Sequence, residues 1–356
     1  MKNELVAGIA FIASVLAICL LRPLCLKVGL VDHPDAVRKQ HAAPTPLGGG
    51  LGILIGVLIT SLLVPELRDG GFRSFLYALV PLLIVGLLDD IVETRALVRV
   101  IAQIVAAVLM AYEGGAVIRN LGELVAPGLP LVLHGWAVPF TLFCVVGVVN
   151  AINMSDGIDG LAGGVALVAL GWFAVAGAMQ GAVADTVLAV TFMGAVAGFL
   201  VFNLRHPLRA RASIFLGDLG SLMLGFVLVW LSIRLTQAEH GGLPAMAAVW
   251  VLGLPLLDAL SIIVWRLTQK RSPLSADQDH LHYVLLRAGL SQGQTVGILL
   301  LVAWLFGAIG IGAWRYGVPE SVLFYGALSV YAVYLVVMTR VWKAMGTTQR
   351  VADAGK

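Results

Sequence analysis

The sequence predicts an all-α integral membrane protein, a polytopic bundle of about eleven transmembrane helices that forms a single domain over residues 1–356. Hydrophobic residues make up 60% of the chain and charged residues 12%, whereas a soluble domain carries about a quarter charged residues. Apolar runs of about 16 to 22 residues recur along the chain, and each is long enough to cross a hydrocarbon core about 30 Å thick. Because these runs are continuous rather than alternating, they favour helices over a β-barrel.

The predicted spans are the apolar runs between polar interruptions. The first run starts nearly neutral and lacks a small-residue cleavage site, so we interpret it as a retained span rather than a signal peptide. The segment 113–135 contains Gly, Pro and alternating apolar residues, which predicts a small hairpin or an amphipathic flap. The spans are placed at 5–21, 48–64, 74–88, 97–112, 136–152, 161–178, 184–203, 212–234, 244–265, 294–314 and 320–342.

Charge asymmetry predicts the orientation of the bundle. An odd number of spans places the termini on opposite sides, and 17 of the 23 Lys and Arg residues then share the side of the C-terminus. Positive residues accumulate on the cytoplasmic side, so we expect a cytoplasmic C-terminus and a periplasmic N-terminus. The function should face the cytoplasm, because the following acids fall at helix ends and loops of that side: Asp32, Asp35, Asp89, Asp90, Glu93, Asp156, Asp159, Asp218, Asp277 and Asp279.

Two acidic segments near helix ends are candidates for chemistry. Asp89 and Asp90 close an apolar run, where two carboxylates are costly unless a cation compensates them. For an isolated Asp-Asp pair, a solvated helix end balanced by Arg95 and Arg99 is the favoured explanation. The loop 150–160 offers hard oxygen ligands, which suit Mg²⁺ better than zinc, although Asn, Asp and Gly also form ordinary capped turns. Its polar members are Asn150, Asn153, Asp156 and Asp159.

Three further segments carry polar groups on the same side. Asp218 lies between glycines at the start of the eighth run, where helix N–H groups can face an anion; it is interpreted as a Mg²⁺ ligand rather than a simple cap. The loop 266–283 combines cations, acids and imidazoles, which bind phosphates and move protons. The loop 31–50 sets a basic strip between prolines and glycines, which favours substrate contact. For both loops the alternative is a basic stretch that only sets topology.

These five segments, in this order, resemble the polyprenyl-phosphate N-acetylhexosamine-1-phosphate transferase superfamily, also called glycosyltransferase family 4. The resemblance covers residues 31–290 and rests on the Asp89-Asp90 pair, the N-x-x-N-x-x-D-G-x-D-G loop, the G-D-x-G-S turn and the late His loop. It implies transfer of a sugar 1-phosphate from a UDP-N-acetylhexosamine to undecaprenyl phosphate in the bacterial inner membrane. UMP would be released, and the product would initiate a cell-surface polysaccharide such as the O-antigen of lipopolysaccharide.

The resemblance also implies a Mg²⁺ cofactor, for which Mn²⁺ could substitute, and no nucleic-acid partner; it leaves a homodimer open. The chain is more similar to undecaprenyl-phosphate N-acetylglucosamine-1-phosphate transferases than to the phospho-MurNAc-pentapeptide translocase, whose late loop has three consecutive histidines. Here the loop reads His280-Leu281-His282-Tyr283, and the third acid of the D-D-x-x-D pattern is Glu93. Phospho-MurNAc-pentapeptide and deoxy-N-acetylhexosamine specificities therefore stay as alternatives.

Position by position, the resemblance implies roles for individual residues. Asp90 is the candidate for keeping the lipid phosphate deprotonated or oriented. The metal ligands would be Asp218 and Asn153; the catalytic residues Asp89, Asp90, Asp156, Asp159, His280 and His282; and the substrate-binding residues Lys39, Arg99, Asn150, Asp159, Arg266, His280 and His282.

Two functions from other classes compete with this interpretation. An ion-coupled secondary transporter is suggested by Asp258, which lies inside the ninth run after Pro255, since intramembrane acids often mark ion paths. The simpler explanation of Asp258 is a buried packing acid. A noncatalytic scaffold that binds lipid head groups is suggested only by the basic face, and it does not require clustered acids.

Overall fold

The computed structural model describes residues 1–32, 44–68, 70–205, 209, 211–238, 242–272 and 279–354, with side chains described as far as residue 345. The described chain is almost entirely helical, as expected for backbone in lipid, which must satisfy its own hydrogen bonds. The helices are α1 Asn3–Val28, α2 Gly49–Leu63, α3 Gly70–Val92, α4 Ala96–Tyr112, α5 Ala137–Met154, α6 Leu161–Gln180, α7 Val183–Asn203, α8 Gly217–Thr236, α9 Ala245–Val251, α10 Gly253–Thr268, α11 Leu281–Arg287, α12 Gln292–Arg315 and α13 Glu320–Ala354.

The prediction of a polytopic all-α membrane protein is confirmed, but the count of eleven spans is not. Within the described residues, 8 helices are long and apolar enough to cross a membrane, and α9 with α10 forms a further candidate bent by 82°. The apolar helices α2 and α4 are shorter, at 15 and 17 residues. The predicted span 244–265 is interrupted at Leu252, where Pro255 lacks the N–H that would continue the helical bonding pattern.

Helix α8 forms the centre of the bundle. Of the most apolar stretch of α8, 89% is buried inside the protein, compared with 11% of that of α13. It packs against α2, α3, α5 and α6. At its far end the rings of Phe75, Phe226 and Trp230 pack together, with centroids of Phe75 and Trp230 5.3 Å apart. Helix α8 is therefore held by several neighbouring helices at once.

Close backbone contacts draw the polar ends of α2 and α3 onto the start of α8. A Cβ on Gly50 would lie 2.5 Å from Cα of Gly220, and a Cβ on Gly86 would lie 2.5 Å from Cα of Leu219. Any larger residue at Gly50 or Gly86 would push these helices apart. Glycine at both positions therefore brings the carboxylates at the end of α3 within reach of α8.

Short antiparallel pairings close the two longer connections. The strands β1 Val31–Asp32 and β2 Thr45–Pro46 pair at the base of the loop that contains Lys39, and Lys39 itself lies outside the described residues. At the opposite end of the bundle, Asn120 and Val132 form an antiparallel bridge, which agrees with the predicted hairpin in 113–135. The side-chain amide of Gln237 accepts the N–H groups of Arg119 and Asn120 and fixes this hairpin to the end of α8.

Candidate active site

A connected polar network lies where α3 and α5 end and α4 and α8 begin. Arg99 Nη1 is 2.8 Å from Asp89 Oδ2 and 3.5 Å from Asp218 Oδ1. On the other side of the same oxygen, Asn153 Nδ2 donates to Asp218 Oδ1 at 2.6 Å. Four residues that the sequence singled out separately are thus brought into contact, and Asp218 is the member they share.

Asp89 is held on every side and is only 6% exposed. Besides Arg99, its carboxylate accepts the Thr94 hydroxyl at 2.7 Å and the Thr94 backbone N–H. The turn that returns Thr94 to Asp89 requires the left-handed conformation at Glu93, with φ 48°. Asp89 therefore fixes the position of Arg99, and its assigned catalytic role stays a prediction. Thr94 was missed in the sequence, and its spacing of five residues from Asp89 was the available signal.

Asp90 caps α8 from another helix. Its Oδ1 accepts the N–H of Asp218 at 2.7 Å, and its Oδ2 accepts the N–H of Leu219 at 3.3 Å. A carboxylate at a helix N-terminus satisfies unpaired N–H groups and interacts favourably with the helix dipole. The sequence suggested that N–H groups at this helix start could face an anion, and in the structure two of them donate to the Asp90 carboxylate. The proposed effect of Asp90 on the lipid phosphate stays a prediction.

Gly217 makes this cap possible, and its replacement gives a first testable prediction. Its φ is +76°, and an added Cβ would lie 2.6 Å from Asp90 Oδ2. We expect Gly217→Ala to lower the thermal unfolding midpoint by several degrees, since left-handed backbone costs about 1–2 kcal/mol for a non-glycine residue and the cap is displaced as well. Gly115→Ala is the matched control, because Gly115 also has positive φ, +62°, but no neighbouring atom within 4 Å. An equal loss in both variants would contradict the role of the cap.

The donor set around Asp218 fits a hard cation. Asn153 uses Nδ2 for Asp218 and for Ser221 Oγ, at 2.6 and 2.8 Å, so these bonds leave its carbonyl oxygen unused. One carboxylate and one amide oxygen suit Mg²⁺, which usually retains waters and binds substrate phosphates alongside few protein ligands. Among the described residues, no group of three or more His, Cys, Asp or Glu side chains could hold a metal ion. If Asp218 and Asn153 held such a cation, phosphate or water would have to complete its shell, and their role as metal ligands stays a prediction.

Asp156 adds negative charge beside this network. Its pKa is raised to about 8, because surrounding protein limits its hydration and the carboxylates of Asp218, Asp90 and Asp159 repel its charge. The side chain is nevertheless exposed to solvent. Asp156 also raises the pKa of Tyr283, after the larger effect of burial of that phenol. It therefore lies between the Asp218 network and α11.

Asp159 and Asn150 make specific contacts at the edge of the network. Arg205 Nε lies 2.6 Å from Asp159 Oδ2, which also accepts the N–H of Ala212 at 3.2 Å, so Asp159 joins the 155–160 loop to the segment before α8. Asn150 Nδ2 donates to Gln103 Oε1 at 2.6 Å, one helical turn below Asn153 and Arg99. Both assigned roles, catalytic and substrate-binding, stay predictions; what the structure shows is bracing of the loop and of α4 against α5.

The late His loop packs directly on the 155–160 loop. An added Cβ on Gly157 would lie 2.2 Å from His282 Nε2, and the Tyr283 hydroxyl is 3.4 Å from the Gly157 carbonyl oxygen. His280 and His282 are stacked, with centroids 5.5 Å apart and planes at 12°. Arg266, at the end of α10, is 2% exposed. The two segments that the sequence identified separately as candidate sites therefore pack against each other.

His282 gives a prediction for the pH dependence of stability. Burial, followed by repulsion from His280, lowers its pKa from 6.5 to about 4 despite the attraction of Asp258, and its Nε2 has no hydrogen-bond partner among the described residues. Between these two pKa values the unfolded chain binds a proton that the folded chain does not, so stability falls as pH decreases from 6.5 to 4. We expect His282→Phe to remove up to about 3 kcal/mol of that loss. Unfolding midpoints of both proteins between pH 4 and pH 7.5 measure it, and parallel curves would contradict it.

The sequence is similar to known proteins over the residues of this network. The family described as glycosyl transferase family 4 matches residues 72–236, which include the whole Asp89 to Asp218 network. Undecaprenyl-phosphate alpha-N-acetylglucosaminyl 1-phosphate transferases match almost end to end: 31% identity to that of Yersinia pestis over 96% of this chain and 93% of the relative, and 32% to that of Salmonella typhi over 96% and 92%. The relative from Haemophilus influenzae is 29% identical over 98% and 97%. A network at these positions, in a chain that matches such relatives along nearly its whole length, places the protein in glycosyl transferase family 4.

Proposed function

We propose that the protein transfers N-acetylglucosamine 1-phosphate from UDP-N-acetylglucosamine to undecaprenyl phosphate and releases UMP. The observation that carries the proposal is the network of Asp218, Asn153, Arg99 and Asp89 at the ends of membrane-spanning helices. A site at the ends of such helices can be reached by a water-soluble nucleotide and by the head group of a membrane lipid. The names of the full-length relatives support the lipid acceptor and the N-acetylglucosaminyl 1-phosphate group, and the UDP donor comes from the family resemblance.

In the reaction, an oxygen of the lipid phosphate attacks the β-phosphorus of the UDP-sugar. The bond from that phosphorus to the bridging oxygen breaks, and the bridging oxygen leaves with UMP. Catalysis of this kind consists mainly of positioning and charge neutralisation. Asp218 and Asn153 are the residues that would hold Mg²⁺, which supplies positive charge against the diphosphate. Arg99 carries its guanidinium beside Asp218 and is oriented by Asp89, so it offers donors to a phosphate arriving there.

Cytoplasmic orientation and an inner-membrane location belong to the same proposal. The uneven distribution of Lys and Arg supports a cytoplasmic site, where the nucleotide sugar is available. The product would then start a cell-surface polysaccharide. The transporter alternative loses its main support, because Asp258 is hydrogen-bonded to His280 at 2.8 Å and belongs to the His loop rather than to an open ion path.

Release of UMP tests the proposal directly. Purified protein, undecaprenyl phosphate and Mg²⁺ are incubated with a panel of UDP-sugars that includes UDP-GlcNAc, UDP-GalNAc and UDP-MurNAc-pentapeptide. We expect UMP and an undecaprenyl-diphosphate-sugar only with UDP-GlcNAc. Turnover of another sugar would keep the reaction and replace the sugar. No UMP from any donor, together with uptake of a solute by reconstituted vesicles, would overturn the proposal in favour of a transporter.

A further inference from the structure

Asp258 is an acid outside the Asp218 network whose carboxylate has three polar partners. It lies in α10 after the bend and is 8% exposed. Its Oδ2 is 2.8 Å from His280 Nδ1, while its Oδ1 accepts the backbone N–H of Leu281 at 3.0 Å and the hydroxyl of Tyr334 at 3.0 Å. The packing role expected from the sequence does not account for three polar partners that converge on one carboxylate.

These contacts determine where the neutral His280 ring carries its proton. An ionised carboxylate can only accept, so Nδ1 of His280 must be the protonated nitrogen. Nε2 is then the ring atom left to exchange a proton or a hydrogen bond with another group. The ring is also held in place, because His280 is the residue that precedes α11 and it stacks on His282.

The last helix, α13, holds this arrangement from outside. Tyr334 donates to Asp258, and two turns later the indole Nε1 of Trp342 donates to the carbonyl oxygen of Asp279 at 2.8 Å. Trp342 also stacks on Trp265 of α10 with centroids 5.2 Å apart. A helix that is otherwise mostly exposed therefore contacts both the carboxylate partner of His280 and the backbone immediately before it.

We propose that Asp258 is a positioning residue for His280, which keeps the proton on Nδ1 and presents Nε2 toward the phosphate-bearing substrate, and that Tyr334 of α13 holds Asp258 in this role. The inference rests on the proposed function only for the identity of the substrate. The proton position itself follows from contacts within the chain.

Asp258→Asn tests the proposal because it is expected to reverse the proton position without changing shape. Oδ1 is held by the two donors of Leu281 and Tyr334, so the Asn carbonyl oxygen should stay there and its NH₂ should face His280 Nδ1. Nδ1 must then accept, and the proton moves to Nε2. The same substitution in a Ser-His-Asp triad leaves the geometry intact but produces the wrong tautomer and a large loss of kcat.

The experiment uses the full chain in detergent, labelled with ¹⁵N-histidine, and two-bond ¹H–¹⁵N spectra that distinguish the tautomers; His280→Gln assigns the signal. In the wild type we expect Nδ1–H at His280, and in Asp258→Asn we expect Nε2–H together with a fall in kcat for UMP release of about tenfold or more. The KM for UDP-GlcNAc and the unfolding midpoint should change little. Tyr334→Phe removes the hydroxyl that holds Asp258 and should lower kcat in the same direction. Its control is Tyr325→Phe, at an exposed tyrosine of α13 whose hydroxyl bonds to the Val125 carbonyl oxygen.

Nε2–H in the wild type would overturn the proposal, whether or not Asp258→Asn folds. Nδ1–H or full turnover in a folded Asp258→Asn would overturn it as well. If the wild type releases no UMP, the proposed function fails. The tautomers of wild type and Asp258→Asn then still decide whether Asp258 positions His280.

Discussion

Asp218→Asn and Asn153→Ala are each expected to reduce the kcat of UMP release by about a hundredfold to a thousandfold, a range typical of losing one preorganised electrostatic contact to a reacting group. Asp218 is the shared partner of Asn153 and Arg99 and the first charged residue of α8. Removing its charge would leave a cation with only neutral amide ligands and would leave Arg99 without its second carboxylate. Both variants should stay monodisperse, because both side chains are partly exposed and lie outside the apolar core.

Asp185→Asn is the matched control for this prediction. Asp185 lies at the other end of the bundle, where it pairs with Arg234 at 2.5 Å and makes no contact with the network. The same chemical change there should lower the unfolding midpoint and leave kcat unaltered. If Asp185→Asn lowered turnover as much as Asp218→Asn, the loss would reflect general damage to the fold, and the assignment of Asp218 to the chemistry would be wrong.

The apolar runs predicted most helices because hydropathy and the need for internal hydrogen bonds act residue by residue. Two departures of the helices from the predicted spans are caused by single residues. Pro255 interrupts the predicted span 244–265, and Gly217, with φ +76°, delays the start of α8 within the predicted span 212–234. Both residues were visible in the sequence, but an average over a long apolar run hides them.

The sequence identified several residues that the structure brings together, but not the contacts between them, and their roles in the reaction stay predictions. Asp90 and Asp218 were both identified, yet the bond from Asp90 to the N–H of Asp218 joins residues 128 positions apart. Which carboxylate caps a helix and which one stays exposed to solvent depends on how α3 packs on α8, and no local pattern encodes that choice. Tyr334 had no signal at all, since it is one tyrosine in an apolar run whose hydroxyl acquires meaning only beside Asp258.

Removal of divalent metal is expected to abolish UMP release, and Mg²⁺, or Mn²⁺ in its place, is expected to restore it. In the described part of the site, burial and then repulsion from the carboxylates of Asp218, Asp90 and Asp159 raise the pKa of Asp156. A nucleotide diphosphate and a lipid phosphate would add further negative charge there, so a cation is needed for the two substrates to approach each other.

The effect of Mg²⁺ on the unfolding midpoint tests metal binding independently of activity. With EDTA-treated protein and no substrate, added Mg²⁺ should raise the unfolding midpoint of the wild type, because a ligand that binds only the folded state stabilises it. The same titration should have little effect on Asp218→Asn, whereas Asp185→Asn should respond like the wild type. Full turnover in metal-free buffer would exclude the metal from the reaction, and an equal Mg²⁺ response in Asp218→Asn would place the ion elsewhere in the protein.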